Sequence, residues 1–405
     1  MKDLKDWGKQ LKHFSLISLI FTTSLYAVNS DNNYLSQTKQ DILNYSYEKA
    51  EQDSKKLKND WISPITYTYT NNKSDTSSND GDGTYRNSNS NIKISQPIFK
   101  SGGIYSAIKY ANSYEQYANT DIDTQRKELI TQVINILYEI KQTSITIEKQ
   151  KLLVKNAEID IQRKKELVLN GLSDSSFLDN AIIEANTRKN TLVDLEYQKI
   201  ELVNTLSTLS DKKYEELELP VFTILDDDKF LDNNIYLRKA SEDIETAYWT
   251  KNMIISSYLP TVNFTTDYTK YHSSDDNSLE DNTRVGFNIT IPLDIRVSND
   301  IQSNKIAYLQ KKLVLTDTKK EESSLYKSSM AKVTNIEKKI IIAQNNVKLY
   351  DSLLTQLEEQ LSVGMSTPSD VETMENSKKI NSLEVKSLAI DIQLKLLEIY
   401  SRIES

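Results

Sequence analysis

The sequence predicts a mainly α-helical chain with a smaller β part, built twice from one unit of a helix, a β-hairpin, a long helix and a last helix. Three observations support this fold class. The 405 residues include only 8 Gly and 6 Pro, which favours long uninterrupted helices because these residues are the main helix breakers. Two stretches recur about half a chain apart, and four segments alternate apolar and polar side chains.

The N-terminus has the pattern of a secretory signal peptide over residues 1–27. Four lysines precede an apolar stretch from Phe14 to Tyr26, which is too short for a transmembrane helix, and Ala27 suits a cleavage site. An amphipathic N-terminal helix is the alternative interpretation. We therefore expect an exported chain whose mature part starts near residue 28.

An internal duplication follows the signal peptide. QPIFKSGGIYSAIKYA, with Pro97, matches IPLDIRVSNDIQSNKIA, with Pro292. NGLSDSSFLDNA at 170–181 matches VGMSTPSDVETM at 363–374, at nearly the same offset. Two separate matches at nearly one offset indicate two structural repeats rather than chance similarity.

The duplication places the first repeat at residues 28–210 and the second at 233–405, with an equatorial connector at 211–232. The first repeat is predicted to contain a helix at 34–57, strands at about 61–70 and 85–99, a long helix at 104–169 and a last helix at 175–209. The second is predicted to contain a helix at 234–257, strands at about 261–271 and 283–293, a long helix at 299–362 and a last helix at 369–403. Each long helix would span about 100 Å, more than a globular domain needs.

The predicted strands alternate apolar and polar side chains. Phe287 and Ile289 share one face of RVGFNITIPL, and Asn288 lies on the other. This period occurs in transmembrane β-barrels and in half-buried soluble sheets, and the strands alone favour the soluble sheet because such sheets are commoner. The long acidic loop in each hairpin, with different connections at the opposite strand ends, favours the barrel. Four strands cannot close a barrel, and unpaired backbone groups in lipid cost several kcal/mol each. Several copies would therefore have to pool their strands, and three copies would give twelve.

Composition counts against most enzymes and against nucleic-acid binding. The chain has no Cys and two His, of which His13 lies in the predicted signal peptide and leaves His272 alone. The sequence therefore has almost none of the His and Cys side chains that a catalytic triad or a His- or Cys-ligated zinc site requires. The net charge of −8 argues against a nucleic-acid partner, because phosphate binding needs clustered Lys and Arg. We expect a non-enzyme with no catalytic, cofactor or metal site.

The repeated stretches resemble the TolC-type outer-membrane efflux family. QPIFKSGG and VGMSTPSDVETM, with the fainter copy NGLSDSSFLDNA, carry this resemblance over essentially the whole mature chain. The resemblance implies a homotrimer in outer-membrane lipid, with a 12-stranded β-barrel above an α-helical barrel that extends into the periplasm. It also implies a passive exit duct of a tripartite efflux or type I secretion system, for small molecules or polypeptides. The implied partners are a periplasmic adaptor and an inner-membrane pump.

The resemblance also implies particular site residues. The strand-to-helix junctions contain Pro97, Gly102, Gly103 and Pro292. The helical tips that would contact the adaptor contain Gly171, Leu172, Val363, Gly364 and Met365. We expect each proline to end its strand, because proline cannot continue a ladder, and the two glycines to supply a tight turn. The second junction lacks these glycines, so its turn must be built differently.

Asp370 matches an acid that narrows the closed periplasmic entrance in the family. The position of a second such acid holds Thr373, and the counterpart of Asp370 in the first repeat is Phe177. One hypothesis is a threefold Asp370 ring that gates the duct through like-charge repulsion or cation binding. The other is that Asp370 simply favours the N-terminal end of its helix.

A different class of function stays open from the sequence. A secreted or periplasmic trimeric coiled-coil scaffold or adhesin without a pore would also need long helices with an apolar seam. Such a scaffold would not need two duplicated strand pairs. The duct is therefore the interpretation that the repeats favour.

Overall fold

Long helices dominate the protein. The computed structural model describes residues 34–78, 81–272 and 280–404, so the predicted signal peptide lies outside the described residues. In chain order the helices are α1 (Gln37–Asn59), α2 (Gly103–Leu169), α3 (Ser175–Ser207), α4 (Asp227–Asp232), α5 (Ile235–Ser257), α6 (Val297–Ser362) and α7 (Pro368–Tyr400). The strands are β1 (Thr66–Ser78), β2 (Gly81–Phe99), β3 (Thr261–Tyr271) and β4 (Asn282–Thr290), and Tyr214–Glu216 forms a 3₁₀ turn.

The two longest helices are α2, with 67 residues, and α6, with 66. Each therefore spans about 100 Å. None of the helices in the described residues combines the length and the apolar character that a membrane-spanning helix requires.

The four strands form one antiparallel sheet in the order β1-β2-β3-β4. Phe264 of β3 lies opposite Phe287 of β4, with ring centroids 5.7 Å apart, and the neighbouring pair is Asn263 with Asn288. Because side chains alternate along a strand, the register collects apolar residues on one face and polar residues on the other.

The strand bounds differ from the sequence prediction at two places. The first strand, expected at about 61–70, begins after Pro64 and continues to Ser78, and β2 begins at Gly81 rather than at residue 85. Ladder hydrogen bonds join backbone groups, so the polar segment that was expected to be a loop extends the hairpin. The last strand, expected to reach residue 293, ends at Thr290, two residues before Pro292, which has no N–H to donate.

The four helices that connect directly to the strands form a wall that continues the sheet. α1 packs on α2, α2 on α5, and α5 on α6, so the lateral order of these helices is α1-α2-α5-α6. α1 precedes β1, β2 leads into α2, α5 precedes β3, and β4 leads into α6. The helices therefore lie side by side in the same order as the strands, and we call these four helices the wall.

The main hydrophobic core lies at the level of the connector. Phe230 of α4, Val133 of α2 and Ile399 of α7 are completely buried there. Leu206, at the end of α3, packs in the same cluster. This core joins the two repeats where α3 and α7 return to the middle of α2.

Candidate functional site

The two long helices end at turns of the same construction. Gly171 and Gly364 both have left-handed backbones, with φ of 69° and 75°. At the first turn the N–H of Leu172 donates to Leu167 O at 2.8 Å, and at the second the N–H of Met365 donates to Gln360 O at 2.8 Å. This pattern is the Schellman motif, whose left-handed residue is usually glycine because a Cβ is strained there.

The turns leave apolar side chains in water. Leu172 is 73% exposed and Met365 is 80% exposed, and Val363 is also exposed. The structure thus places all five predicted tip residues at the two turns, on the pairs α2–α3 and α6–α7. Exposed apolar side chains gathered at helix ends are suited to contact another protein.

Asp370 lies in the first turn of α7 and is bound within its own chain. Its Oδ2 accepts hydrogen bonds from the Thr367 N–H at 2.9 Å and from the Thr367 hydroxyl at 2.7 Å. The Asp370 N–H donates in turn to the Thr367 hydroxyl oxygen at 3.3 Å, and this bond forms a capping box with the one from the Thr367 N–H. The Asp370 Oδ1 lies 2.5 Å from Arg163 Nη2 of α2. The Thr367 hydrogen bonds, with a smaller contribution from the Arg163 charge, lower the pKa of Asp370.

These contacts bear on the two hypotheses for Asp370. The capping box is the arrangement that the helix-end interpretation expects. The contact with Arg163 adds an ion pair that neither hypothesis included. Asp370 therefore joins the tip of α7 to the neighbouring long helix.

Asp370 belongs to a series of polar contacts between α2 and α7. Glu372 lies 2.5 Å from Lys155, Asn376 donates to Asn156 at 2.8 Å, and Lys379 lies 3.1 Å from Glu148. Further from the tip, Glu384 pairs with Lys149. We call this series, with the Arg163–Asp370 pair, the α2–α7 ladder.

Sequence reasoning did not find the α2–α7 ladder. Its cations Lys149, Lys155 and Arg163 lie along α2, and its acids Asp370 and Glu372 lie along α7 in the opposite direction. The signal was this charge complementarity between two antiparallel helices. It required knowing that the last helix packs on the long helix of the other repeat.

The first strand-to-helix junction uses both predicted glycines. Gly102 has a φ of 84°, and a Cβ on Gly103 would lie 3.0 Å from the Ser256 hydroxyl of α5. Gly102 thus makes the turn and Gly103 allows the close approach of α2 and α5. Pro97 does not end its strand as expected, because β2 continues to Phe99 through a shift in register. β1 pairs only as far as Lys93, so Pro97 lies beyond the β1 ladder and is tolerated.

The second junction makes its turn with side chains. Asp294 accepts a hydrogen bond from the backbone N–H of Arg296 at 2.8 Å and binds its guanidinium at 2.6 Å. An Asp side chain that bonds backbone two residues on stabilises a turn without glycine. This pair of Asp294 and Arg296 explains how the second strand-to-helix junction turns without a counterpart of Gly102 and Gly103.

Comparisons with known proteins agree with this architecture. The family model for outer membrane efflux proteins matches residues 46–210. No curated protein sequence matches the chain significantly. Several solved structures share its fold, at identities that establish the fold alone.

Three of these structures show how far the likeness extends. CusC, solved in structures that concern folding and transmembrane channel formation, aligns with a TM-score of 0.73 and 12% identity over 94% of this chain and 95% of its own. The CmeC outer membrane channel of Campylobacter jejuni aligns with a TM-score of 0.74 and 11% identity over 92% of this chain and 84% of its own. The open state of the MtrE outer membrane channel of Neisseria gonorrhoeae aligns with a TM-score of 0.67 and 12% identity over 90% of this chain and 86% of its own.

These matches include both structural repeats as well as the segment that the family model recognises. The predicted resemblance to the TolC-type outer-membrane efflux family is therefore confirmed, in sequence over residues 46–210 and in fold over nine-tenths of the chain.

Proposed function

We propose that the protein is an outer-membrane channel that serves as the passive exit duct of a tripartite efflux or type I secretion system. The observation that carries this proposal is the matched order of strands and wall helices, β1-β2-β3-β4 above α1-α2-α5-α6. A sheet that continues strand by strand into helices makes one section of a tube. The duct carries out no catalysis, and its energy comes from a partner.

The edges of the sheet support assembly from several copies. β1 and β4 each have a neighbour on one side only among the described residues. An open edge is costly in lipid, so β4 of one copy pairs with β1 of the next until the ring closes. Three copies give twelve strands, within the range of membrane barrels. The homotrimer lies in the outer membrane, and its helices extend into the periplasm.

The two repeats, the helical tips and the α2–α7 ladder have different roles in the proposed duct. Residues 28–210 and 233–405 are two equivalent repeats held together by the connector at 211–232. The exposed tip residues Leu172, Val363 and Met365 contact the periplasmic adaptor, which links the duct to an inner-membrane pump. The α2–α7 ladder holds the closed entrance, and its release lets α7 move away from α2.

The first test is whether the purified mature chain forms a pore. We expect trimers that resist heating in detergent, recovered from the outer-membrane fraction, and stepwise conductance when they are added to planar bilayers. Trimers that neither insert into bilayers nor conduct would support the scaffold instead. A monomer with no affinity for detergent would contradict both the trimer and the membrane location.

The second test concerns the entrance. We expect Asp370→Asn to increase the open fraction of the channel, because the variant loses the charge pair with Arg163 but keeps an oxygen for the Thr367 cap. An exposed pair contributes about 0.5 kcal/mol, so three copies would change the open-to-closed ratio by roughly tenfold. Single-channel recording measures this ratio. Glu375→Gln is the matched control, because Glu375 is an exposed acid of the same helix without an ion pair in the described residues.

Acidification gives an independent readout of the same pair. Arg163 contributes to the lowered pKa of Asp370 only while α7 lies against α2, so the contribution of the ion pair to closure is present at neutral pH and is lost as the pH falls through that lowered value. The wild-type channel should therefore open more at acidic pH, and Asp370→Asn should lack this component. Identical open fractions and pH profiles in both proteins would contradict the gating role and leave Asp370 as a helix cap.

A further inference from the structure

Aromatic and lysine side chains gather on three wall helices just below the sheet. The Lys251 Nζ of α5 lies 4.5 Å from the ring centroid of Tyr248 and 5.1 Å from that of Tyr308 on α6. The Lys312 Nζ lies 4.8 Å from the same Tyr308 ring. Trp249 continues the group, with its ring 5.0 Å from Tyr248.

The group extends to α2. The ring of Tyr105 lies 5.7 Å from that of Trp249, and the Lys109 Nζ lies 5.7 Å from the Tyr105 centroid. We call Tyr105, Lys109, Tyr248, Trp249, Lys251, Tyr308 and Lys312 the collar. Since its side chains touch from α2 across α5 to α6, the collar lies on one face of the wall.

The opposite face of α6 has a different character. Tyr308 and Lys312 lie on the collar face, whereas Ser303 and Gln310 lie roughly opposite, at about 100° per residue. Exposed Ile306 and Val314 also lie on that side, so the opposite face of α6 has polar and aliphatic side chains but no lysine and no aromatic ring at the level of the collar. Tyr and Trp concentrated with Lys on one face is the composition of a membrane interface.

The collar also lies at the right depth for lipid headgroups. The Tyr258 hydroxyl, at the end of α5, donates to Asp300 near the start of α6, so these helix ends are level. Lys251 precedes Tyr258 by seven residues, which is about 10 Å along the helix. The headgroup layer is roughly 5–8 Å thick, and long lysine side chains extend toward it.

The lysine charges of the collar are available to a partner. Lys109, Lys251 and Lys312 make no ion pair with any residue that the structure describes. The whole chain has a net charge of −8, so three lysines on one face without an ion pair in the described residues are a local exception, although Glu245 lies among them and accepts a hydrogen bond from Trp249 Nε1 at 3.3 Å. Attraction between such cations and anionic lipid acts within about one Debye length, 8–10 Å.

We propose that the collar binds anionic phospholipid headgroups of the periplasmic leaflet of the outer membrane. The lysines contact the phosphates, and the tyrosine and tryptophan rings lie at the boundary between headgroups and water. This inference rests on the proposed function, because the sheet must span lipid for the collar to reach the leaflet. It adds a lipid site that fixes the height of the helical wall against the membrane.

Lipid binding by the purified trimer tests the collar. Native mass spectrometry in detergent, with phosphatidylglycerol or phosphatidylcholine added, gives the affinity for each lipid. We expect wild-type protein to prefer phosphatidylglycerol, and Lys109→Gln/Lys251→Gln/Lys312→Gln to bind it on the order of 100-fold more weakly, about fivefold for each lysine. Affinity for phosphatidylcholine should stay unchanged, and the three Lys→Arg substitutions should restore the preference.

The control is a second triple variant that also replaces three lysines with glutamine and so loses the same charge as the collar variant. Lys327, Lys332 and Lys348 are exposed lysines of α6 further from the sheet, so their replacement by Gln should leave lipid affinity at the wild-type value. No preference for phosphatidylglycerol in the wild type would overturn the proposal, as would equal loss in both triple variants. A collar variant with altered ion selectivity and unchanged lipid affinity would place these lysines in the lumen and also overturn it. Conducting trimers without lipid preference would refute the collar alone, whereas absence of conducting trimers would refute the duct.

Discussion

Phe287→Arg should abolish insertion of the protein into the outer membrane. Phe287 lies in the middle of β4 on the apolar face and is 70% exposed in the isolated chain. A lipid-facing arginine costs up to about 2–4 kcal/mol at the bilayer midplane and less toward the interfaces, and a trimer carries that cost three times. We expect little variant protein in the outer-membrane fraction and few heat-resistant trimers on an unheated gel.

The neighbouring residue provides a matched control. Asn288 lies on the other face of β4, opposite Asn263 of β3. Asn288→Arg introduces the same side chain one residue away, and we expect normal insertion with a shift of ion selectivity toward anions, since the arginine would face the lumen. Equal effects of the two substitutions would mean that the sheet does not separate lipid from water, and the duct would have to be abandoned.

Glu322→Ala should destabilise the folded chain by about 3 kcal/mol. Glu322 of α6 is only 4% exposed, and it binds Arg402 Nη1 at 2.6 Å and Asn234 Nδ2 at 2.9 Å. Removing one partner of a buried ion pair leaves the other without compensation, at a cost of about 3–5 kcal/mol, and the lower value applies because Arg402 is partly exposed. The denaturant midpoint, followed by circular dichroism, measures the loss.

Two further variants identify the cause of that loss. Glu321→Ala removes an exposed acid at the preceding position, so its midpoint should stay within error of the wild type. Glu322→Leu/Arg402→Met removes both charges and should recover much of the stability, because apolar side chains of similar volume often replace a buried ion pair without loss. A small effect of Glu322→Ala would show that water reaches this pair.

The duplicated order of elements was accessible to sequence reasoning because it depends on local patterns. The glycines at 171 and 364 end the long helices, and few breakers interrupt the helices themselves, so α2 and α6 were predicted within two residues. Alternation located the strands because one face of the sheet differs chemically from the other. It failed beyond residue 70, where both faces of β1 are polar and only the backbone ladder defines the strand.

Contacts between residues far apart in the sequence could not be predicted from local patterns. Asp370 was singled out by its position after a glycine turn, but its partner Arg163 lies about 200 residues earlier and is found only when α2 and α7 are seen to pack. The buried position of Glu322 likewise depends on Arg402, which lies 80 residues later in the chain. Charged residues are common on helix surfaces, so sequence alone does not distinguish those that become buried.

The matched order of strands and helices has a consequence for the inner diameter of the proposed channel. Each strand of the sheet is paired with one helix of the wall, so in the proposed assembly the barrel section and the wall section would contain equal numbers of strands and helices. An assembly with one more or one fewer subunit would widen or narrow both sections together. In the proposed assembly, a change in the number of subunits would therefore alter the diameter of both sections and could not widen one section alone.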